Sequence, residues 1–334
     1  MIRILRRRRL ENKWEGSITP VEKFSFSDIR SERSPSELKR FWELYLTDES
    51  VFGLINGLTT LATGPGFEIS GETNEEKNYI EQAFTRSWPA VHSLVRNALI
   101  FGNGFAEIIY TRAGRFHSLE ALFPPDLEII KQDGEIQYLH KETNKIFPPN
   151  KIFNLVFFPR EDSVYGLSLL KPLVSAITKK EKLANALVTA VERHLPRLHI
   201  ILKRDELGHY PSEDERRAIA RQFKDLKPEY EIVTTDLIDI NSIDIKGVPN
   251  IDEYLSFMLS LISLGALTPI ELLGSAERKV THATARIRAN VFFAGPVAYL
   301  QRTLEHAINS QILSDSPFKF HIKKWEMPLA YTGK

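Results

Sequence analysis

Two stretches of helical periodicity enclose a short insert, and that arrangement limits what the chain can fold into more than any other feature. Leu173, Ile177, Ala184, Leu187, Val191 and Leu195 recur at helical spacing and predict a helix over 168–194, about 40 Å long at 1.5 Å per residue. Pro196 stops it. A second apolar helix is expected over 251–266, after the turn Gly247-Val248-Pro249-Asn250. Between the two, RLHIILK reads as a strand. Ser212-Glu213-Asp214-Glu215 reads as a capping box opening a helix to about Leu226, and EYEIVTT and LIDINSIDI read as two more strands. A βαββ insert of about 50 residues buries too little surface to be stable alone, and a two-helix stalk leaves apolar faces uncovered. Both problems vanish if copies of the chain stand side by side in a ring or bundle. The pattern predicts an oligomer with a head, a stalk and a small tip.

The head reads as α+β. Residues 35–62 are expected to be helical, with Ser34 as cap, Pro35 at the first position and Glu37 completing a capping box. A second helical region over 73–100 is expected to be interrupted near Trp88-Pro89. The period then changes to two. FAEIIYTR and RFHSLEALF flank Ala113-Gly114, LEIIKQ and EIQYLHK flank Asp133-Gly134, and KIFNLVFF adds a further strand. Gly102-Asn103-Gly104 follows a helix and precedes a strand, the reverse of a dinucleotide-binding turn, and reads as a helix C-cap with a sharp turn. Beyond the second stalk helix, a helix is expected to resume near Thr281 and to kink or restart at Gly295-Pro296. Phe293, Val297, Leu300, Leu304 and Ile308 form its buried stripe, and PFKFHIKKW is the closing strand.

Charge singles out one segment. The chain balances 44 Lys and Arg against 43 Asp and Glu, yet RKVTHATARIRANVFFAGPVAYLQRTL, residues 278–304, has no acid at all. It carries Arg278, Lys279, Arg286, Arg288 and Arg302 with His282, and Arg278, His282 and Arg286 are four apart, so they would share one face if the helix started as early as Arg278. Such a stretch faces nucleic acid, a membrane surface or a neighbour's acids. The first stalk helix adds Lys179, Lys180 and Lys182 on its outer face. The apolar stretch 254–273 contains three serines, Pro269 and Glu271 and lacks basic flanks, so it reads as a buried or subunit-facing helix and not as a membrane span. The basic N-terminus MIRILRRRRLENKW lacks the apolar core of a secretory signal; it is a solvated arm, or one contacting nucleic acid or another subunit.

Enzyme signatures are missing. With no cysteine, disulfides, thiolate catalysis and Cys-based zinc sites are excluded. No P-loop and no H-E-x-x-H occurs, and Gly166-Leu167-Ser168 lacks the second glycine of a nucleophile elbow. No catalytic residue, metal ligand or cofactor is expected. Asp236, Asp239 and Asp244 read as a solvated strand face. Two other functions stay open: a metal-dependent nuclease using those aspartates, and a monomeric nucleic-acid-binding module using 278–302.

Several stretches together carry a family resemblance. ALIFGNGFAEIIYTRAGRFHSLEALFPPDLEII is similar to the portal proteins of tailed double-stranded DNA phages, where a helix leads through Gly-Asn-Gly into an Ile-rich strand and a hairpin. VYGLSLLKPLVSAI resembles that family's lead-in to its stem helix, LTPIELLG stands where the family usually reads Pro-Pro-x-x-Leu-Gly, and FFAGPVAYLQRTLEHAINSQIL resembles its long helix. The match runs in consistent order over about 90–325 and points to the HK97-like group. The resemblance implies a wing over 1–165, a first stem helix over 166–195, a clip over 196–249 and a second stem helix over 250–273. A tunnel loop would span 274–283, and a wing helix and closing strand 284–334, with the crown short or absent. It further implies a dodecameric ring at one capsid vertex in the virion, assembled in the host cytoplasm, through which double-stranded DNA passes without sequence-specific contacts. Its other implied partners are the terminase large subunit, the major capsid protein and the head–tail adaptor, with no membrane. Arg278, Lys279 and His282 would then lie at the tunnel loop facing DNA, and Arg286, Arg288, Lys179, Lys180 and Lys182 would face DNA or a neighbouring subunit.

Overall fold

The computed structural model describes residues 33–72, 74–132, 135–161, 163–194, 197–204, 207–224, 237–243, 251–269 and 282–325. The N-terminal helical region is two helices, α1 (Pro35–Thr47) and α2 (Glu49–Thr63), where one was expected. Asp48 divides them. Its extended backbone ends α1, and its carboxylate accepts from the backbone N–H groups of Ser50 and Val51, both at 3.0 Å, to cap α2. The capping box expected at Ser34 does not form, because Ser34 Oγ bonds Ser36 Oγ at 2.7 Å instead. A short strand β1 (Phe67–Ser70) leads to α3 (Glu75–Phe101), which runs unbroken through Pro89. Burial on both sides of the proline explains this: Phe84, Ser87, Val91 and Leu94 are all fully buried, and Ser87 Oγ also accepts from Leu119 N at 3.0 Å. Packing of that stripe outweighs the one hydrogen bond the proline removes.

Gly102 ends α3 in the left-handed region (φ 87°), the C-cap read from the sequence. Six strands follow: β2 (Asn103–Tyr110), β3 (Phe116–Leu122), β4 (Leu127–Gln132), β5 (Glu135–His140), β6 (Lys145–Phe147) and β7 (Ile152–Val156). They make two antiparallel three-stranded sheets, ordered β3-β2-β7 and β4-β5-β6. Strand β2 is buried on both faces. Ala106 and Ile108 join the main core with α1, α2 and α3, while Phe105 points into a second core with Leu127, Ile129, Tyr138, Phe147 and Tyr165.

The segment expected to form stalk and tip contains α4 (Val174–His194), β8 (Arg197–Leu202), α5 (Glu213–Lys224), β9 (Ile238–Ile243) and α6 (Ile251–Gly265). Strands β8 and β9 pair antiparallel, from Arg197↔Ile243 to Leu202↔Ile238. The capping box read at Ser212 is present: Glu215 N donates to Ser212 Oγ (3.3 Å) and Ser212 N to Glu215 Oε2 (2.7 Å). The expected strand EYEIVTT lies outside the described residues. Helices α4 and α6 pack against each other, with Leu173 and Ile177 meeting Ile262 and Ala266 in the main core.

The last part is α7 (His282–Phe292), a π-helical turn over Phe293–Val297, α8 (Ala298–Gln311) and β10 (Lys319–Ile322). Gly295-Pro296 produces the irregularity expected there as a π turn within one continuing helix. Strand β10 pairs antiparallel with β1, Phe67 opposite Ile322, so the end of the chain closes on its beginning. Gln311 seals the edge of the β7 sheet, accepting from Asn154 N and donating to Asn154 O, both at 2.9 Å.

Candidate functional site

Two glycine-centred segments far apart in sequence meet at the root of α4. Gly166 N donates to Asn103 Oδ1 (2.9 Å), Asn103 Nδ2 to Asn154 Oδ1 (3.0 Å), and Phe157 N to Gly102 O (3.2 Å). Ser168 Oγ donates to Ile100 O (2.5 Å) and Leu169 N to Leu99 O (3.0 Å), so the open carbonyls at the end of α3 are capped by the 168–169 segment. The backbones approach so closely that a Cβ on Gly166 would run into the carbonyl oxygens of Phe157 and Gly102. This joint explains why α4 begins at Val174 and not at 168: the intervening residues are spent anchoring the helix to α3. Tyr165 belongs to the same joint. Its hydroxyl accepts from Ile129 N at 2.8 Å, burial holds its phenol above the usual range, and Arg33 stacks over its ring at 4.6 Å.

A polar seam then fixes the first turns of α4 to the α1–α2 corner. Lys171 pairs with Glu37 (3.2 Å), and Arg40 donates to Thr178 Oγ1 (3.0 Å). Lys180 reaches Asp48 at 2.8 Å and Glu49 at 3.0 Å, with side-chain exposures of only 7% for Lys180 and 10% for Asp48. Lys180 is therefore not on the outer face with Lys179 and Lys182. It continues the buried stripe of Leu173 and Ile177 at i, i+4 and i+7, and an intrachain ion pair satisfies its charge. The Glu49 carboxyl is held below the ordinary carboxylate value, first by its own backbone N–H at the helix start and then by Lys180. Lys179 and Lys182 are exposed. Replacing Lys180 by alanine strands a buried carboxylate and is expected to cost about 3 kcal/mol. The same change at Lys179 or Lys182 is expected to move stability by less than about 0.5 kcal/mol. Urea denaturation of the three variants reads the contrast.

The C-terminal end of α6 frames an apolar cavity of about 980 Å³ whose lining includes Leu264, Leu267, Val291, Phe158 and Tyr299. The helix closes in a Schellman arrangement, with Thr268 N donating to Ser263 O (3.0 Å) and Leu267 N to Leu264 O (3.2 Å). That motif puts Leu267 in the left-handed region, φ 54°, where glycine is the usual occupant. Phe158 also has a positive φ, 48°; its N–H donates to the Tyr299 hydroxyl at 3.0 Å and its ring stacks on Tyr299 at 5.5 Å. Of the three non-glycine residues with positive φ among the described residues, these two line one cavity, and the third, Asn144, sits in a turn. Around the mouth, Leu264 is 73% exposed, Leu267 59% and Val291 65%. Tyr254, Phe257 and Leu261 extend the exposed apolar stripe along α6 at helical spacing. The apolar run is legible in the sequence, but the two strained residues are not, because no local signal marks a leucine or phenylalanine for that conformation.

The cationic segment is only partly in view. Arg278 and Lys279 lie outside the described residues, and His282 opens α7. Arg286 is exposed one turn further on, and Arg288 is half-buried against the apolar cavity, so the two arginines point to different surroundings. In the tip, Asp239 pairs with Lys203 at 2.8 Å, while Asp236 and Asp244 lie outside the described residues. Among the described residues no group of His, Asp and Glu has metal-holding geometry, and no helix is long and apolar enough to cross a membrane.

The model of one protein family, the portal protein of Mu bacteriophage, matches residues 40–241, more than half of the chain. The chain belongs to the phage portal proteins. Solved structures agree on the fold. The portal chain resembles a component of the neck of an empty gene transfer agent particle computed with C6 symmetry (TM-score 0.69, 15% identity, 90% of this chain and 87% of that one covered). It resembles a component of the neck of the native particle computed with C12 symmetry to a similar degree (TM-score 0.65, 15% identity, 89% and 86% covered). An HK97-family phage portal protein from Corynebacterium diphtheriae matches with TM-score 0.53 at 12% identity, covering 83% of this chain and 93% of that one. No curated protein sequence matches. Portal proteins are structural components of phage heads.

Proposed function

We propose that this portal protein assembles with copies of itself into a closed ring at one capsid vertex, and that double-stranded DNA passes along the ring axis during packaging and ejection. The observation that carries the proposal is the apolar stripe of α6 with the strained, exposed cavity at its end. A single chain that leaves Tyr254, Phe257, Leu261, Leu264, Leu267, Ile287 and Val291 open to water carries an interaction surface larger than a monomer keeps. A ring needs two different complementary faces on each copy, and a cavity bordered by a stripe is one such face. The relatives with six- and twelve-fold neck symmetry support a twelve-membered ring. In this reading α4 and α6 are the stem, 196–249 is the clip that meets the terminase large subunit and later the head–tail adaptor, and the wing contacts the major capsid protein.

The channel works by not holding its cargo. Each neutralised phosphate adds salt-dependent affinity, and a ring of many strong contacts would stall sliding DNA. A formal net charge of +1 suits a conduit, with Arg278, Lys279 and Arg286 touching phosphates transiently and reading no bases. Native mass spectrometry with negative-stain images of the same sample tests the proposal. Closed rings with a central hole are expected. A chain that remains monomeric even with the capsid protein and terminase present overturns it.

A further inference from the structure

The outward face of α2 has a composition that nothing inside the chain accounts for. Gly53 and Gly57 stand about one turn apart in the middle of the helix, and a Cβ on either would meet nothing. Glycine inside a helix costs stability relative to alanine, and its use is to let another backbone come close. Phe52 and Thr60 flank the two glycines, and Leu46 lies at the end of α1 just before them. Phe52 and Leu46 are 53% and 60% exposed, although Phe52 rests one ring face on Tyr45 at 5.5 Å. Glu49 is the one charged side chain of α2, and residues 41–63 hold Glu43, Asp48 and Glu49 with no lysine or arginine. Asp48 and Glu49 share a single cation, Lys180.

We infer that the α1–α2 corner of one copy seats on the cavity rim of the next, so that Phe52 and the glycine face of α2 meet Leu264, Leu267, Ile287 and Val291 of a second copy. This rests on the reading of the chain as a ring-forming portal, and it supplies the second of the two faces that such a ring needs. Size is complementary: the rim projects large exposed apolar side chains, and α2 offers a surface without side chains beside an aromatic ring that the 980 Å³ cavity can take. Charge is complementary too. Among the described residues the cavity lining has Arg288 as its one charged side chain and no carboxylate, and residues 278–304 hold no acid. The two faces open in different directions, as a head-to-tail contact requires. Leu58 of α2 lines the cavity from within, about 130° round the helix from the Gly53-Gly57-Thr60 face. Their heights agree. Rotation about a ring axis leaves height unchanged, and with α4 as the stem the corner is tied to it at Lys180 and the rim at Leu173, against which Gly265 lies, about 10 Å apart. The cavity also holds a polar group that the described residues do not satisfy. Thr268 is 5% exposed, and its hydroxyl has no hydrogen-bond partner. An arriving face with polar atoms of its own, such as the Thr60 hydroxyl, answers it.

The chain has no cysteine, so introduced pairs report the contact without background. The full chain carrying Phe52→Cys/Val291→Cys, assembled and then oxidised, is expected to run on a non-reducing gel as a ladder of covalent oligomers up to the closed ring. A mixture of the two single variants should stop at dimers, because each copy then brings one thiol. In parallel, Gly53→Ala/Gly57→Ala should melt at or above the wild-type temperature yet associate at least about tenfold more weakly in sedimentation, since two methyl groups hold the helices apart. Rings that form normally but give no ladder, and that the alanine pair leaves unweakened, overturn this contact and leave the ring standing. A cross-link closed within one chain overturns it as well. So does an alanine pair that forms normal rings and loses only its binding to the capsid protein, which would assign the α2 face to that protein. A wild-type chain that stays monomeric even with the capsid protein and terminase present overturns the ring, and this contact with it.

Discussion

Gly166→Ala is expected to cost about 3 kcal/mol or more and to lower the melting temperature by about 6 °C or more, a larger loss than a single methyl group brings at most sites. The added Cβ would meet backbone carbonyl oxygens, of Phe157 and of Gly102, and no rotamer change moves a backbone atom aside. Three chain segments would have to separate, and with them would go the bonds from Gly166 N to Asn103 and from Leu169 N to Leu99. Against a typical folding stability of about 5–15 kcal/mol, that leaves a chain prone to unfold and α4 without a fixed root. The controls lie in α2. A Cβ on Gly53 or Gly57 meets nothing, so alanine there should stabilise by about 0.5–1 kcal/mol through better helix propensity. Circular-dichroism melts of the three variants decide the matter. Equal melting points would show that the joint gives way and that the close approach at Gly166 carries no stability.

Gly166 also shows which parts of the fold the sequence made legible. Local patterns with a local cause were readable: the C-cap at Gly102, the box at Ser212, and the period-two strands around Ala113-Gly114. Elements that exist only through distant partners were not. Strand β1 is only four residues long and is held by residues 319–322 at the far end of the chain. The unbroken course of α3 through Pro89 depends on burial that a single-helix rule does not include. Lys180 was misread for a physical reason of the same kind. A lysine in a helix is assigned to solvent by its chemistry, and only the fold brings Asp48 within 2.8 Å of it. The FGNG and YGLS stretches are two of the four that carry the family resemblance. Their contact, which gives both motifs their glycines, could not be read from either one.

Leu267→Gly is expected to have opposite effects on the single chain and on the ring. Leu267 occupies the C′ position of a Schellman cap at φ 54°, a conformation that costs a residue with a Cβ about 1–2 kcal/mol. Glycine removes that strain, so the unassembled chain should gain about 1 kcal/mol once glycine's own backbone entropy is counted. The leucine side chain is 59% exposed, so little packing inside the chain is lost with it. In an assembled ring the same side chain, beside Leu264 and Val291, would be buried by the neighbour, and each such burial contributes about 1.5–3 kcal/mol. Losing it at every interface should weaken association more than tenfold per contact. Sedimentation at a series of concentrations reads the association, and denaturation under dissociating conditions reads the chain. A residue kept for internal packing would lower both numbers, and a residue of no consequence would move neither. Only a strained side chain held out for a partner makes the chain more stable and the ring less so when it is removed.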